Sequence, residues 1–311
     1  MQKLLVGRIA GMAATLLAVS AFVFYALSVL PGDPAAIALG TSLRPDTLVA
    51  LQKEMGLDQP VWLRFGHWLT GVLTGDFGTS ITYHTPVGQM VAARLAVTLP
   101  LACLSLVIAM AIALPLGMLA ARGSRLAEGG ATLLAQLGIA LPNFFIGLLL
   151  ILLFTRTGGL PSGGFPGWEA GLYSAFAALI LPATALALPQ AAVLVRVTRA
   201  AFLEILAGDY IRTARAKGLG ETAILVRHAA GHALVPVLTI IGLQFSFLVA
   251  GAILVENVFV LPGLGQLAFQ ALAQRDIPVL QACILIFASL VILVNFLVDL
   301  AALLIDPRLR Q

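Results

Sequence analysis

Few residues of this sequence have the type and spacing that catalysis or metal binding requires. The histidines of HAAGH, His228 and His232, have the i, i+4 spacing of the zinc-binding HExxH pattern. The position of the catalytic glutamate is occupied by Ala229, so we predict no metal site. GLGQ at 263–266 lacks the spacing and the lysine of a GxxxxGK[ST] phosphate loop, which excludes ATP hydrolysis by that route.

The remaining nucleophiles are equally isolated. Ser162 of PSGG has no histidine in the neighbouring apolar runs to activate it, which makes a membrane-embedded hydrolase the weakest alternative. Cys103 and Cys283 lie within apolar runs, where small core residues are expected in preference to a disulfide or a metal site. We therefore predict no catalytic residue and no cofactor in this chain.

A compact basic cluster stands out instead, in DYIRTARAKGLG at 209–220. Arg212, Arg215 and Lys217 fall within six residues of a chain that is only 10% charged. The composition favours helix up to Lys217, Gly-Leu-Gly breaks that helix, and Glu221 favours the start of a second one. Three interpretations compete: charge that only orients the chain, an anionic-lipid patch, and a docking surface for a cytosolic protein. Three cations are fewer than the roughly 4–8 of a lipid patch.

The elements that must position this cluster are membrane spans. Hydrophobic residues make up 60% of the 311 residues, against about 45–50% in soluble domains. A spanning helix needs about 20 mostly apolar residues, and six segments qualify: 9–30, 96–121, 131–155, 174–195, 233–255 and 278–304. Prolines inside them predict kinked, packed helices. With a net charge of only +4, no nucleic-acid partner is predicted.

The basic residues orient these spans. With the N-terminus inside, the inner segments carry twelve lysines and arginines and the outer segments six, four of them in the long segment 31–95. Both termini, including the tail 305–311, are therefore predicted to be cytoplasmic. Segment 31–95 becomes extracytoplasmic, with one or two surface helices, and the loop 198–232 between spans four and five becomes cytoplasmic.

Ordered motifs along nearly the whole chain resemble one family. They are LPGDPA (30–35), MGLDQPVWLRFGHWLTGVLTGDFGTS (55–80), ARLAVTLPLA (93–102), ALPNFFIGLLLILLF (140–154), LILPATALAL (179–188), DYIRTARAKGLG (209–220), ILVENVFVLPGLGQLAFQALAQRDIPVLQA (253–282) and NFLVDLAALLIDPRLR (295–310). The sequence resembles permease subunits of ATP-binding cassette importers of the dipeptide/oligopeptide/nickel group. The resemblance implies one all-α domain over 1–311, with the type I importer permease fold, in the bacterial cytoplasmic (inner) membrane.

The same resemblance implies partners and sites. The basic cluster would be a coupling helix seated on an ATPase, through Arg212, Ala214, Arg215, Ala216, Lys217, Gly218 and Leu219. The partners would be a second homologous permease, two cytosolic ATPases that hold ATP and Mg²⁺, and an extracytoplasmic substrate-binding protein. The outer face would use Glu256, Pro262, Gly263, Arg275 and Asp276, with Arg275 and Asp276 able to pair locally. The family usually has an amide where His232 stands.

Cargo and pathway are the least marked features. Gln136, Asn143 and Gln244 are polar residues within spans and candidates for the pathway, although most such residues form interhelical hydrogen bonds. The expected cargo is a di- or oligopeptide, with nickel chelates and glutathione-like peptides left open. An ion-coupled secondary transporter is the rival from another class, but only Glu256 and Asp299 are acids near spans, and no repeat is visible.

Overall fold

The computed structural model describes residues 2–29, 34–39, 44–54 and 56–305. Leu30 of the first span, most of LPGDPA and residues 306–311 of the tail lie outside them. Described residues are almost entirely helical, and their one extended pairing is a bridge between Thr79 and Pro86. The helices are α1 Gln2–Ser28, α2 Pro34–Leu39, α3 Pro45–Glu54, α4 Val61–Thr74, α5 Val87–Ala121, α6 Arg125–Ala140, α7 Asn143–Thr157, α8 Leu172–Leu206, α9 Asp209–Ala216, α10 Glu221–Ala223, α11 Ala230–Val258, α12 Leu264–Gln274 and α13 Ile277–Ile305.

Five of these helices are long and apolar enough to span a membrane, and α6 with α7, a pair bent by 106°, makes a sixth if the pair crosses as one span. The helices thus agree with five or all six of the predicted spans, and the kink predicted from proline in 131–155 is present as a full break. The chain leaves the α conformation at Leu141 (ψ 125°), immediately before Pro142. A proline ring disfavours the α conformation of the residue before it, which accounts for the break.

The segment 31–95 is more helical than predicted. It contains α2, α3 and α4, and α5 already begins at Val87 instead of residue 96. Aromatic rings join α4 to α1, since the Phe24 ring lies 5.5 Å from the rings of both Phe65 and Trp68. These residues belong to one of two compact units into which the chain divides, Met1–Thr98 with Pro262–Leu293.

The second unit comprises Leu99–Leu261 and Val294–Gln311. Its centre is α8, whose alanine-rich faces are buried against α6, α7 and α11. Glycines allow the close approach, because a Cβ on Gly138 of α6 would lie only 2.5 Å from the Cβ of Ala192. Small residues at such contacts are typical of helices that pack within membranes. The organisation as one functional domain over 1–311 stays a prediction.

Candidate functional site

The basic cluster forms a short protrusion after α8, which we call the knob and define as residues 209–221. Helix α9 ends at Ala216, and Gly218 takes the left-handed conformation (φ 77°). The amide of Leu219 donates to the carbonyl of Ala214 at 3.3 Å, and that of Gly218 to Arg215 at 2.9 Å. This pair of bonds is the Schellman motif, in which glycine avoids the cost of a Cβ. The helix and elbow expected from the sequence are therefore present.

An apolar seat holds the knob in place. Ile211 and Ala214 on α9 are buried together with Ile224, and Leu206 at the end of α8 packs against them. The opposite face of α9 carries exposed polar and charged side chains. The inner face of the knob thus packs against this chain, and its outer face is exposed and available for contact with another protein. Ala214 lies on the inner face, whereas Ala216 and Leu219 are exposed.

The three cations of the knob differ in their partners. Arg215 makes a two-pronged ion pair with Glu221, with Nε–Oε1 at 2.8 Å and Nη2–Oε2 at 3.2 Å. This hydrogen bonding lowers the pKa of Glu221 below its ordinary value and raises that of Arg215. Arg212 pairs with Asp209 at 3.2 Å, both side chains being largely exposed. Lys217 has no ion pair with the part of the chain that the structure describes.

The HAAGH histidines are not arranged as a metal site. Residues Ile224–Ala229 form a π-helical turn, so His228 and His232 do not share one regular α-helical stretch. Both side chains are exposed, and the His232 ring stacks edge-on against Tyr210 with centroids 6.0 Å apart. Within the described ranges, no three metal-ligating side chains come together.

The predicted outer-face residues are mostly buried. Glu256, Gly263 and Asp276 are inaccessible, Pro262 is half-buried, and only Arg275 is exposed. Arg275 ends α12 in the left-handed conformation (φ 57°). The backbone after it then turns Asp276 inward, so the two neighbouring residues occupy different environments.

The Asp276 carboxylate instead holds a turn that comes almost 200 residues earlier in the chain. It accepts hydrogen bonds from Ser80 Oγ at 2.5 Å, from the Thr82 amide at 3.1 Å and from the Ile81 amide at 3.3 Å. Nearby, Gln274 donates to the Tyr83 hydroxyl at 3.0 Å. We call the contacts of Asp276 with residues 80–82 the Asp276 clasp. Sequence reasoning gave residues 80–82 no role, and their only signal was that Ser80 ends the GDFGTS motif and the other two follow it.

The three pathway candidates lie in three different surroundings. Gln244 is buried on α11, and its Nε2 has no hydrogen-bond partner among the described residues. Asn143 begins α7, and its side-chain amide packs closely against Gly251 of α11. A Cβ added to Gly251 would lie 2.3 Å from Asn143 Nδ2. Gln136 is exposed on α6 and lines a groove between α6 and α8. Sequence reasoning did not single out Arg196 and Arg199, which line the same groove.

Comparison with known proteins extends over the whole chain. A family model described as "Binding-protein-dependent transport system inner membrane component" matches residues 113–311. A second model, for the N-terminal part of membrane components of binding-protein-dependent transport systems, matches residues 1–102. The two matches together include the knob and every residue except 103–112, which lie within α5.

Individual relatives are similar over nearly their full length. A putative peptide transport system permease protein of Brucella abortus is 40% identical, over 100% of this chain and 99% of the relative. A probable peptide ABC transporter permease protein of Sinorhizobium fredii is 37% identical, over 97% of each chain. A glutathione transport system permease protein of Salmonella typhimurium is 39% identical, also over 97% of each chain.

One solved structure supports the helical architecture. A crystal structure described as an amino acid ABC transporter with histidines superposes with a TM-score of 0.53 and 18% identity. The match covers 69% of this chain and 93% of that one. At this identity the likeness concerns the fold of the helices alone.

Proposed function

Since the chain belongs to the family of inner-membrane components of binding-protein-dependent transport systems, we propose that it forms half of the translocation pathway of an ATP-driven importer of di- and oligopeptides. The observation that carries the cargo class is the full-length similarity to peptide permeases of two bacteria. Similarity to a glutathione permease favours a short, tripeptide-sized cargo as the second candidate.

The proposed assembly supplies what this chain lacks. A second homologous permease completes the pathway, two cytosolic ATPases bind ATP and Mg²⁺, and an extracytoplasmic binding protein delivers cargo. The chain itself is a transport subunit and not an ATPase, in keeping with its sequence, which has no phosphate-binding loop. The family gives no support to an ion-coupled secondary transporter.

The knob is the proposed contact with an ATPase, on the cytoplasmic side that the charge distribution indicates. Its outer face offers Arg212, Lys217 and the apolar tip Leu219, which is 40% exposed. Arg215 has a different role in this proposal, because its guanidinium is already bound by Glu221. A knob seated on its own chain can pass the closing movement of the ATPases to the spans as a rigid-body motion.

The test uses the complete complex in lipid vesicles. Alanine at Arg212, Lys217 and Leu219 together is expected to reduce cargo-stimulated ATP hydrolysis and peptide uptake at least about tenfold, since a docking contact of this kind is worth a few kcal/mol. Arg125→Ala and Arg156→Ala, two exposed arginines elsewhere, are the matched controls. Unchanged coupling in the triple variant would refute the role of the knob.

The cargo is tested separately. Dipeptides, tripeptides, glutathione and a nickel chelate are offered one at a time to vesicles that contain the complex and its binding protein. We expect ATP-dependent uptake of the peptides and not of the chelate. Uptake driven by an ion gradient without the ATPases would contradict the whole proposal.

A further inference from the structure

The groove between α6 and α8 has the size and the chemistry of a ligand site. It is an open groove with a volume of about 950 Å³, lined on α6 by Ala135, Gln136 and Ile139 and on α8 by Arg196, Ala200 and Leu203. Ligand sites in proteins have volumes of roughly 300–1,000 Å³. Both helices also belong to predicted membrane spans, so the groove is filled by membrane components or by another protein.

The polarity of the groove changes along its length. Gly138 faces Ala192 and Glu128 faces Arg199, so the two helices run antiparallel. At the end near the knob, Arg199 pairs with Glu128 at 2.5 Å, and Arg196 lies one turn away on α8. Toward the opposite end the lining is Ile139, Ala140 and Val193. The groove is therefore cationic in its knob-side half, which also includes Ala200 and Leu203, and apolar in the other half.

Two polar side chains that line the groove, Arg196 and Gln136, have no partner among the described residues. Arg196 is exposed and has no ion pair or hydrogen bond to the part of the chain that the structure describes, and the same is true of Gln136. Once an occupant displaces water from the groove, the Arg196 guanidinium needs an anionic or strongly polar partner, because its desolvation is otherwise uncompensated. A phosphate satisfies it best, through charge-assisted bonds to two of its oxygens.

The position of Arg196 along α8 matches the level of lipid headgroups. It lies about 36 Å along the helix from Leu172, at 1.5 Å per residue, whereas the hydrocarbon core is about 30 Å thick. Arg196 therefore reaches the polar zone on the knob side, and the apolar end of the groove stays at hydrocarbon depth. This arrangement has the polarity profile of a phospholipid.

We propose that the groove between α6 and α8 binds an anionic phospholipid, with its phosphate on Arg196 and an acyl chain along Ile139 and Val193. The rim of the groove supports a lipid over a hydrated cargo. Leu133 and Leu137 beside it on α6 are 58% and 50% exposed. Exposed leucines at this edge suit contact with acyl chains and would line a water-filled path poorly. The proposal is independent of the cargo and of the ATPase contact.

The test measures lipid retention by the whole purified complex. The complex is stripped of lipid in detergent, mixed with phosphatidylglycerol or phosphatidylcholine, and weighed by native mass spectrometry. We expect Arg196→Gln to weaken phosphatidylglycerol retention about fivefold or more, as for the loss of charge-assisted hydrogen bonds, and Arg196→Lys to keep most of it. Arg125→Gln, an exposed arginine at the same end of α6 but outside the groove, is expected to behave as the wild type.

A second variant tests the groove itself instead of the charge. Ala200→Phe fills the groove without removing an arginine, and it should displace phosphatidylglycerol as Arg196→Gln does. Equal loss in Arg125→Gln, or equal retention of phosphatidylcholine, would overturn the proposal in favour of non-specific surface lipid. Cross-linking of a cysteine at Ala200 to the second permease, or to a photoreactive peptide, would overturn it in favour of an interface or a cargo path.

Discussion

Asp276 and Glu221 are both carboxylates that hold a turn, but they do so under opposite conditions. Asp276 is 1% exposed and accepts three hydrogen bonds from residues 80–82, across 196 residues of sequence in the case of Ser80. Glu221 has a 40% exposed side chain and binds Arg215, six residues away. A buried carboxylate with satisfied donors is costly to remove, whereas an exposed ion pair is screened by water.

The difference indicates how each region obtains its shape. The Asp276 clasp determines where residues 80–82 lie, since one buried and two partly buried donors would lose their acceptor without it. The knob obtains its shape mainly from the Schellman turn at Gly218 and from the apolar seat of Ile211, Ala214 and Ile224. The Arg215–Glu221 pair then orients side chains on a knob that is already formed.

The largest effect is expected from breaking the clasp. Asp276→Ala removes the acceptor of the buried Ser80 hydroxyl and of two partly buried amides, which should cost about 3 kcal/mol of unfolding free energy. Hydrogen exchange of the Ile81 and Thr82 amides and thermal unfolding of the complex measure it. Asp58→Ala, at an exposed aspartate, is the control. Protection of Ile81 and Thr82 that survives Asp276→Ala would show that the clasp does not hold the turn.

A smaller effect is expected from the seat of the knob. Ile211 is fully buried, and Ile211→Ala should weaken the local stability of α9 by about 2 kcal/mol through lost contacts and a cavity. Cargo-stimulated ATP hydrolysis should fall with it, although no exposed residue has changed. Tyr210→Ala, which alters the exposed neighbour, should leave the amide protection of α9 nearly intact. If Ile211→Ala lowered the amide protection of α9 less than Glu221→Gln does, the apolar seat would not be what gives the knob its shape.

The smallest effect is expected from the Arg215–Glu221 pair, and it should depend on geometry more than on stability. Glu221→Gln is expected to reduce coupling modestly, and the exchange Arg215→Glu with Glu221→Arg should restore most of it. Restoration is expected because the two groups bind each other. If Arg215 instead bound an acidic ATPase residue, the exchanged variant would be worse than either single variant.

The pair also predicts a pH dependence. The pKa of Glu221 lies below its ordinary value of 4.5 because of the hydrogen bond from Arg215. A carboxyl whose pKa is lowered by folding stabilises the folded form above its ordinary pKa and ceases to do so as pH falls through the lowered one. Protection of the 215–221 amides should therefore be constant from pH 8 to about pH 5 and decline only in more acidic solution. A decline that begins near neutral pH would contradict the assignment of this dependence to the Arg215–Glu221 pair.

Much of the architecture was accessible from the sequence because its signals are local. Apolar runs predict spans wherever they occur, and the helix α9, the left-handed Gly218 and the new start at Glu221 follow from residue types a few positions apart. The residues at which the spanning helices begin and end were harder to predict from the sequence. α5 begins at Val87 and α8 continues to Leu206, because helices extend beyond the hydrocarbon into polar sequence.

Proline shows where local reasoning stops. Pro182 and Pro189 lie inside α8, which continues through them, whereas the chain breaks between α6 and α7 at Pro142. The ring disfavours helix equally in each case, so the outcome depends on whether neighbouring helices satisfy the freed backbone groups. That depends on packing, which a proline and its neighbours in sequence do not encode.

The sequence by itself determined the solvent, the number of spans, their predicted orientation and the ends of the knob, since hydrophobicity and glycine conformation are properties of short segments. Only the tertiary structure decided that Asp276 binds residues 80–82, that Arg215 is held by Glu221, and that Arg196 and Gln136 line one groove. These pairings join residues through space. Their free energy depends on burial and distance, and neither is set until the helices have packed.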